Sequence, residues 1–305
     1  METPTPSAKL HVGALLDRAP GPKYLRALGF AELGLRAPLP RPATLAQMRK
    51  QLPVGFAIAL RAPRASVVSS LGALRVNAEL EASLAWLLGA ADAAEAQAVV
   101  IPTPAELTPG ARSRDLLREY VARLPRRPGR AYVWSPSGVW EPQDMHALAT
   151  ELGLVCAFDP LEARRPPGPI AYGTLRALGH RTGFTPAALV DALSRLLTPE
   201  TELAYLSVDA ERGFDVARRA LQLATAAAAI TGSQADLPEG DPDEVEGADD
   251  DEDSDDDDED SGDDEDSGDD EDSDDDENSD DDEDSDDDDD SDDDEDSDDD
   301  EDDRP

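Results

Sequence analysis

An acidic terminus splits this chain into a part that can build a core and a part that cannot. Residues 241–305 hold 48 of the 71 Asp/Glu in the sequence and one of its 27 Lys/Arg. Residues 1–240 therefore keep 23 acids against 26 bases, a net charge near +3, while the terminal segment carries about −47. The overall value of −44 describes the tail and says little about the surface of a folded body. With one valine (Val245) and no aromatic residue, the segment has no apolar surface to offset the entropy of ordering it. Disorder is expected over 233–305, and a flexible start over 1–8.

Serines in the tail fall at Ser254 and Ser261 and then every six residues to Ser297, each with an acid three positions later. Two readings stay open. The repeat is either a neutral expansion of a short coding unit or a run of sites resembling those of acid-directed kinases. The Gly and Glu that an EF-hand loop requires are not at the right spacing. A polyanion of this kind attracts basic proteins and repels nucleic acid, so basic proteins are the expected partners and nucleic acid is not.

The body alternates. Short β-prone runs are read at Leu10–Gly13, Phe30–Arg36, Gly55–Arg61, Ala98–Thr103, Arg130–Ser135, Leu154–Asp159, Ala171–Arg176 and Leu203–Asp209. Helical stretches are read near Pro22–Leu28, Ala43–Gln51, Glu79–Ala91, Ser113–Arg123, Glu141–Leu152, Pro186–Leu197 and Phe214–Ile230. Thr185-Pro186 places a capping hydroxyl before a first-turn proline, and Ser113 is taken to open another helix. Strand–helix alternation implies parallel pairing with crossover connections. Eight such units in about 240 residues predict a (β/α)8 TIM-like barrel over 9–232, followed by the acidic tail. An open doubly wound sheet is disfavoured because no Gly-rich phosphate loop follows the first strand, where Gly13 stands alone.

Period two assigns faces within each strand. Glu32, Gly34 and Arg36 share one face; Ala57, Ala59 and Arg61 share another. Asp159 lies with Ala157 and Val155, Arg176 with Thr174 and Tyr172, Asp209 with Ser207 and Tyr205. If these faces line the lumen, then Glu32, Arg36, Arg61, Asp159, Arg176 and Asp209 converge near the C-terminal strand ends, where barrel active sites sit. Three acids and three arginines support two readings: a self-neutralised salt-bridge network, or a site for a small anionic ligand.

Other signals are weak. No Walker loop, His-Glu-x-x-His or nucleophile elbow occurs, and neither a metal nor a cofactor is expected. His11, His146 and His180 are scattered and read as surface or locally bonded side chains. Cys156 is alone, so no internal disulfide forms, and Val155 and Ala157 make it an inert core thiol. Trp134 and Trp140 read as packing residues. Arg123, Arg126, Arg127 and Arg130 form the densest basic patch, either a solvated loop or a contact for the tail. No apolar run approaches a membrane span. The N-terminus lacks the pattern of a secretory signal, so a cytoplasmic location is expected.

The run Leu52-Pro-Val-Gly-Phe-Ala-Ile-Ala-Leu-Arg-Ala-Pro-Arg64 resembles a segment of the YecE-like family. The order of Val99–Pro102, Ala131–Trp134, Ala157–Pro160, Leu175–Gly179 and Ala204–Asp209 agrees with it. The resemblance covers roughly residues 9–230 and implies a TIM-like barrel of unestablished biochemical function. It aligns Glu32, Asp159 and Arg176 with a glutamate, an aspartate and an arginine of the family, and Arg61 with a lysine. It also implies losses. A glutamine is replaced near Val100/Ile101, a glutamate and an arginine by Val133 and Ser135, a histidine by Leu178, and paired asparagines near Val208 and Asp209. Losing these groups removes much of any acid–base apparatus, so a non-catalytic barrel that acts through its tail is the alternative.

Overall fold

The computed structural model describes residues 8–177 and 183–235, with side chains to 228. The acidic tail, His180 and Leu178 lie outside the described residues.

Eight parallel strands close into a barrel: β1 (Lys9–Leu16), β2 (Phe30–Leu33), β3 (Ala57–Arg61), β6 (Ala98–Thr103), β7 (Ala131–Pro136), β8 (Val155–Phe158), β9 (Ile170–Arg176) and β10 (Leu203–Asp209). A two-stranded ribbon, β4 (Val68–Ser69) and β5 (Gly72–Ala73), follows β3 and was not foreseen. Helices α1 (Pro22–Ala27), α2 (Pro42–Gln51), α3 (Ala78–Ala93), α4 (Ala111–Val121), α5 (Pro142–Leu152), α6 (Pro186–Leu196) and α7 (Gly213–Ala235) fill the connections. This is the (β/α)8 arrangement that the alternation predicts. Between β8 and β9 no helix forms, because Pro166, Pro167 and Pro169 lack the N–H groups a helix needs. Among the described residues no helix is long and apolar enough to cross a membrane.

Two apolar sets hold the barrel. The larger lies between strands and helices and includes Leu33, Ile58, Leu60, Val99, Ile101, Leu80, Leu87, Leu117 and Leu206. The smaller fills the lumen with Phe30, Ala57, Ala59, Ala98, Val100, Val133, Ala157, Tyr172 and Tyr205. Alanines on β3, β6 and β8 leave room that the aromatic rings from β2, β9 and β10 occupy. An eight-stranded barrel has an interior that side chains can fill.

Helix starts follow local chemistry. Thr185 accepts the Ala188 N–H at 3.2 Å ahead of Pro186. Asn77 caps α3 by accepting the Leu80 N–H at 2.9 Å, an unforeseen cap. Ser113 corrects the sequence reading: α4 begins at Ala111 after Gly110, so Ser113 sits inside the first turn and caps nothing.

Strand β2 is shorter than read. It stops at Leu33, whose register partner Leu16 is the last residue of β1, so the residues beyond it have no strand to pair with on that side. That moves Arg36 out of the sheet and into a loop.

Candidate functional site

A chain of polar contacts crosses the lumen just below the C-terminal strand ends. The Tyr172 hydroxyl donates to Glu32 Oε2 at 2.7 Å, and Arg61 Nε donates to Glu32 Oε1 at 2.6 Å. Arg61 Nη1 reaches Asp209 Oδ2 at 3.4 Å. Strands β9, β2, β3 and β10 are thus tied in sequence across the barrel. Glu32 is fully buried, so both of its oxygens are committed to internal partners. Burial would lower the Arg61 pKa, but the charge and hydrogen bond of Glu32, with Asp209 behind them, raise it. Burial first, and Glu32 second, push the Tyr172 phenol well above its ordinary 10.0, so it stays a donor.

Above this bridge the mouth holds two separate spaces. One, of about 630 Å³, is lined by Arg18, Arg36, Arg61, Asp17, Asp209 and Glu211, over β1, β2, β3 and β10. The other, of about 110 Å³, is lined by Ser135, Asp159, Glu162, Thr174 and Arg176, over β7, β8 and β9.

The six residues singled out from sequence fall into three settings. Glu32, Arg61 and Asp209 are brought into contact. Asp159 and Arg176 share the smaller space. Arg36 does not converge with them as a strand residue. Its side chain is 83% exposed and stands 4.0 Å from Asp17. Asp159 follows the end of β8 and has local work, since its Oδ1 accepts the Leu161 N–H at 2.9 Å. Arg176, the last residue of β9, donates to the Ser135 hydroxyl at 3.2 Å.

Lower in the lumen, His11 takes the second of the two settings expected of it, held by local partners and not at the surface. It is half-buried and stacks on Tyr205 with centroids 5.2 Å apart, near Phe30 at 6.3 Å. Burial, helped by the charge of Lys9, lowers its pKa from 6.5 to about 4. The unfolded chain then binds a proton below about pH 6.5 that the folded chain refuses until about pH 4. His11 should therefore contribute stability that is complete above pH 6.5 and is lost as pH falls toward 4. Melting curves of the parent and His11→Gln between pH 7.5 and 4 check this. The gap between the two proteins should narrow or reverse on acidification.

The basic loop has its own partners. Arg126 donates to the Leu152 and Gly153 carbonyls at 2.7 and 2.9 Å, closing the C-terminal end of α5. Arg130 donates to the Ala91 and Ala96 carbonyls, both at 2.9 Å, and pairs with Asp92 at 2.7 Å. Arg127 shares Asp92 at 3.3 Å, and Arg123 bonds Glu119 at 3.3 Å. Cations at helix C-termini offset the orphan carbonyls and the helix dipole. Cys156 is buried, and burial pushes its thiol up to about 12. Trp134 meets Trp140 edge-on at 4.9 Å, and their indole N–H groups bond Thr103 and the Leu107 carbonyl. Among the described residues no group of three or more His, Cys, Asp or Glu is placed to hold a metal ion.

Neither a family model nor a curated protein matches this sequence. Its fold does match solved structures. One crystal structure of a DUF72 family protein from Enterococcus faecalis superposes with a TM-score of 0.53 at 12% identity, over 72% of this chain and 98% of that one. A second structure of that protein gives 0.52 at 13% identity, over 71% and 94%. A DUF72 family protein from Thermotoga maritima gives 0.49 at 13% identity, over 72% and 99%. At such identities the likeness concerns the fold alone: this chain is a TIM-like barrel similar to those of DUF72 family proteins.

Proposed function

We propose that the barrel mouth binds a small anionic ligand, with Arg176 as its first anchor. The observation that carries this is the setting of Arg176. Its guanidinium ends a barrel strand, half-buried, in a small pocket, and bonds a neutral hydroxyl where Arg61 bonds two carboxylates. Ser135 and Thr174, both buried, add hydroxyl donors beside it. A planar guanidinium with several N–H groups matches the oxygens of a phosphate or carboxylate.

The test is a thermal shift of the full chain at fixed ionic strength. Phosphate at hundredfold excess over its Kd should raise the Tm by about 5 °C or more, and Arg176→Ala should abolish that rise. No shift by phosphate or by small carboxylates would overturn the reading.

A second reading is favoured by Glu32, whose oxygens are both occupied inside the lumen. In it the barrel is non-catalytic and carries the polyacidic tail to basic partners. Deleting residues 241–305 should then abolish binding to a basic protein such as a histone mixture, and added salt should weaken that binding in the full chain.

A further inference from the structure

The same mouth holds an anion of the protein's own. Arg61 is tied from one side by Glu32, which is fully buried and cannot leave. From the other side it is met by Asp209, whose side chain is 37% exposed and whose contact, at 3.4 Å, is long for a charge-assisted bond. Asp209 is the last residue of β10 and is paired in register with Arg176, the last residue of β9. Register partners on adjacent strands share a face. Arg61 and Asp209 both line the larger space, with Arg18 and Arg36 beside them and Asp17 and Glu211 opposing. That space, about 630 Å³, falls within the usual range for small-molecule sites.

We propose that Asp209 is a built-in occupant of the anion site. Its carboxylate holds the place on Arg61 that the ligand's anionic group takes, and the ligand is a phosphorylated small molecule. The proposal rests on the reading that the mouth accepts an anion, and it adds a second contact at Arg61, in the larger space, with Asp209 standing in register beside Arg176 on the neighbouring strand. The class of ligand follows from the competition. A tethered carboxylate acts at an effective concentration on the order of millimolar or above. A free monocarboxylate offers Arg61 the same two oxygens and starts at a disadvantage. A phosphoryl group brings about −1.5 to −2 charge and three strong acceptor oxygens, so it can displace Asp209 where acetate cannot.

Calorimetric titration of the full chain with inorganic phosphate and with acetate, at one ionic strength and pH 7.5, tests this. The parent should bind phosphate and not acetate. Asp209→Asn should bind phosphate about tenfold more tightly and should acquire measurable acetate binding. Asp209→Glu keeps the competitor and should stay like the parent. A melting curve on each variant establishes that it is folded, and Asp209→Ser serves in place of the Asn variant if that one is not. Equal phosphate affinity in the parent and the Asn or Ser variant, with Arg176→Ala still abolishing binding, would overturn the role of Asp209 and leave the anion site standing. Phosphate binding by neither protein would overturn both. Acetate binding to the parent as tight as that of phosphate would overturn the ligand class.

Discussion

Gly13→Ala is expected to unfold the barrel or to destabilise it by about 4 kcal/mol or more, at the extreme of single-residue effects. A Cβ on Gly13 would lie 2.1 Å from the Phe30 carbonyl oxygen and 2.9 Å from the Tyr24 hydroxyl. Neither atom is free to give way. The Tyr24 hydroxyl accepts the Ala14 N–H at 2.7 Å and donates to the Phe30 carbonyl at 2.7 Å. It thereby stitches β1 to β2 where Gly13 and Phe30 are register partners, and the Tyr24 ring is itself buried. A methyl group at this spot must part the two strands and break both bonds at once. Gly29→Ala is the control. Gly29 is exposed, its Cβ would meet nothing within 4 Å, and its backbone lies outside the left-handed region. It should change stability by no more than about 0.5 kcal/mol. Urea unfolding of the two variants beside the parent measures the difference. A Gly13→Ala protein within 1 kcal/mol of the parent would show that β1 and β2 can separate without cost.

The barrel was legible in the sequence because each strand carries its own period-two pattern and each turn its own breakers. Alternation in Ala57–Arg61 put the alanines and Arg61 inside and Ile58 and Leu60 outside, as the structure has them. What local pattern could not give was length at a proline-rich exit. Leu33–Arg36 alternates well enough to look like strand, yet β1 ends at Leu16 opposite Leu33, and Arg36 is left on a loop, 83% exposed at the rim of the larger space. Pairing across the lumen was equally out of reach. Tyr172 and Glu32 are 140 positions apart, and Arg61 and Asp209 are 148 apart. Nothing in either segment names its partner. The partner of His11 was out of reach for a related reason: its neighbours in β1 say nothing of Tyr205, which reaches it only when β10 closes the barrel on β1. The basic loop shows the converse. Four arginines close together read as a solvated loop or a contact for the tail, and neither reading contained the local partners the fold supplies: the carbonyls that end α3 and α5 and the carboxylates of Asp92 and Glu119.

Glu32→Ala should cost about 3–5 kcal/mol, the range for removing one partner of a buried ion pair. The reason lies in what is left behind. Arg61, only 21% exposed, would keep a single carboxylate contact, the 3.4 Å approach of Asp209. The fully buried Tyr172 hydroxyl would lose the acceptor it now meets at 2.7 Å. Glu32→Gln keeps the shape and an acceptor oxygen, so it should cost less, about 1–3 kcal/mol. The informative experiment is the double replacement Glu32→Leu with Arg61→Met, made and compared in a Tyr172→Phe background so that no buried phenol is left without its acceptor. Removing both charges and filling their volume with apolar groups also removes the desolvation burden of the pair, and such exchanges are often neutral or stabilising by about 1–4 kcal/mol. A double variant at least as stable as the parent would show that the lumen network is not kept for stability. The case that Arg61 and Asp209 are held at the mouth for a ligand would then gain. A double variant as unstable as Glu32→Ala alone would instead make the network a structural tie between β9, β2, β3 and β10. Arg61 would then be withdrawn from the ligand, leaving Arg176 and the exposed Arg36 as the cations of the six that can meet one.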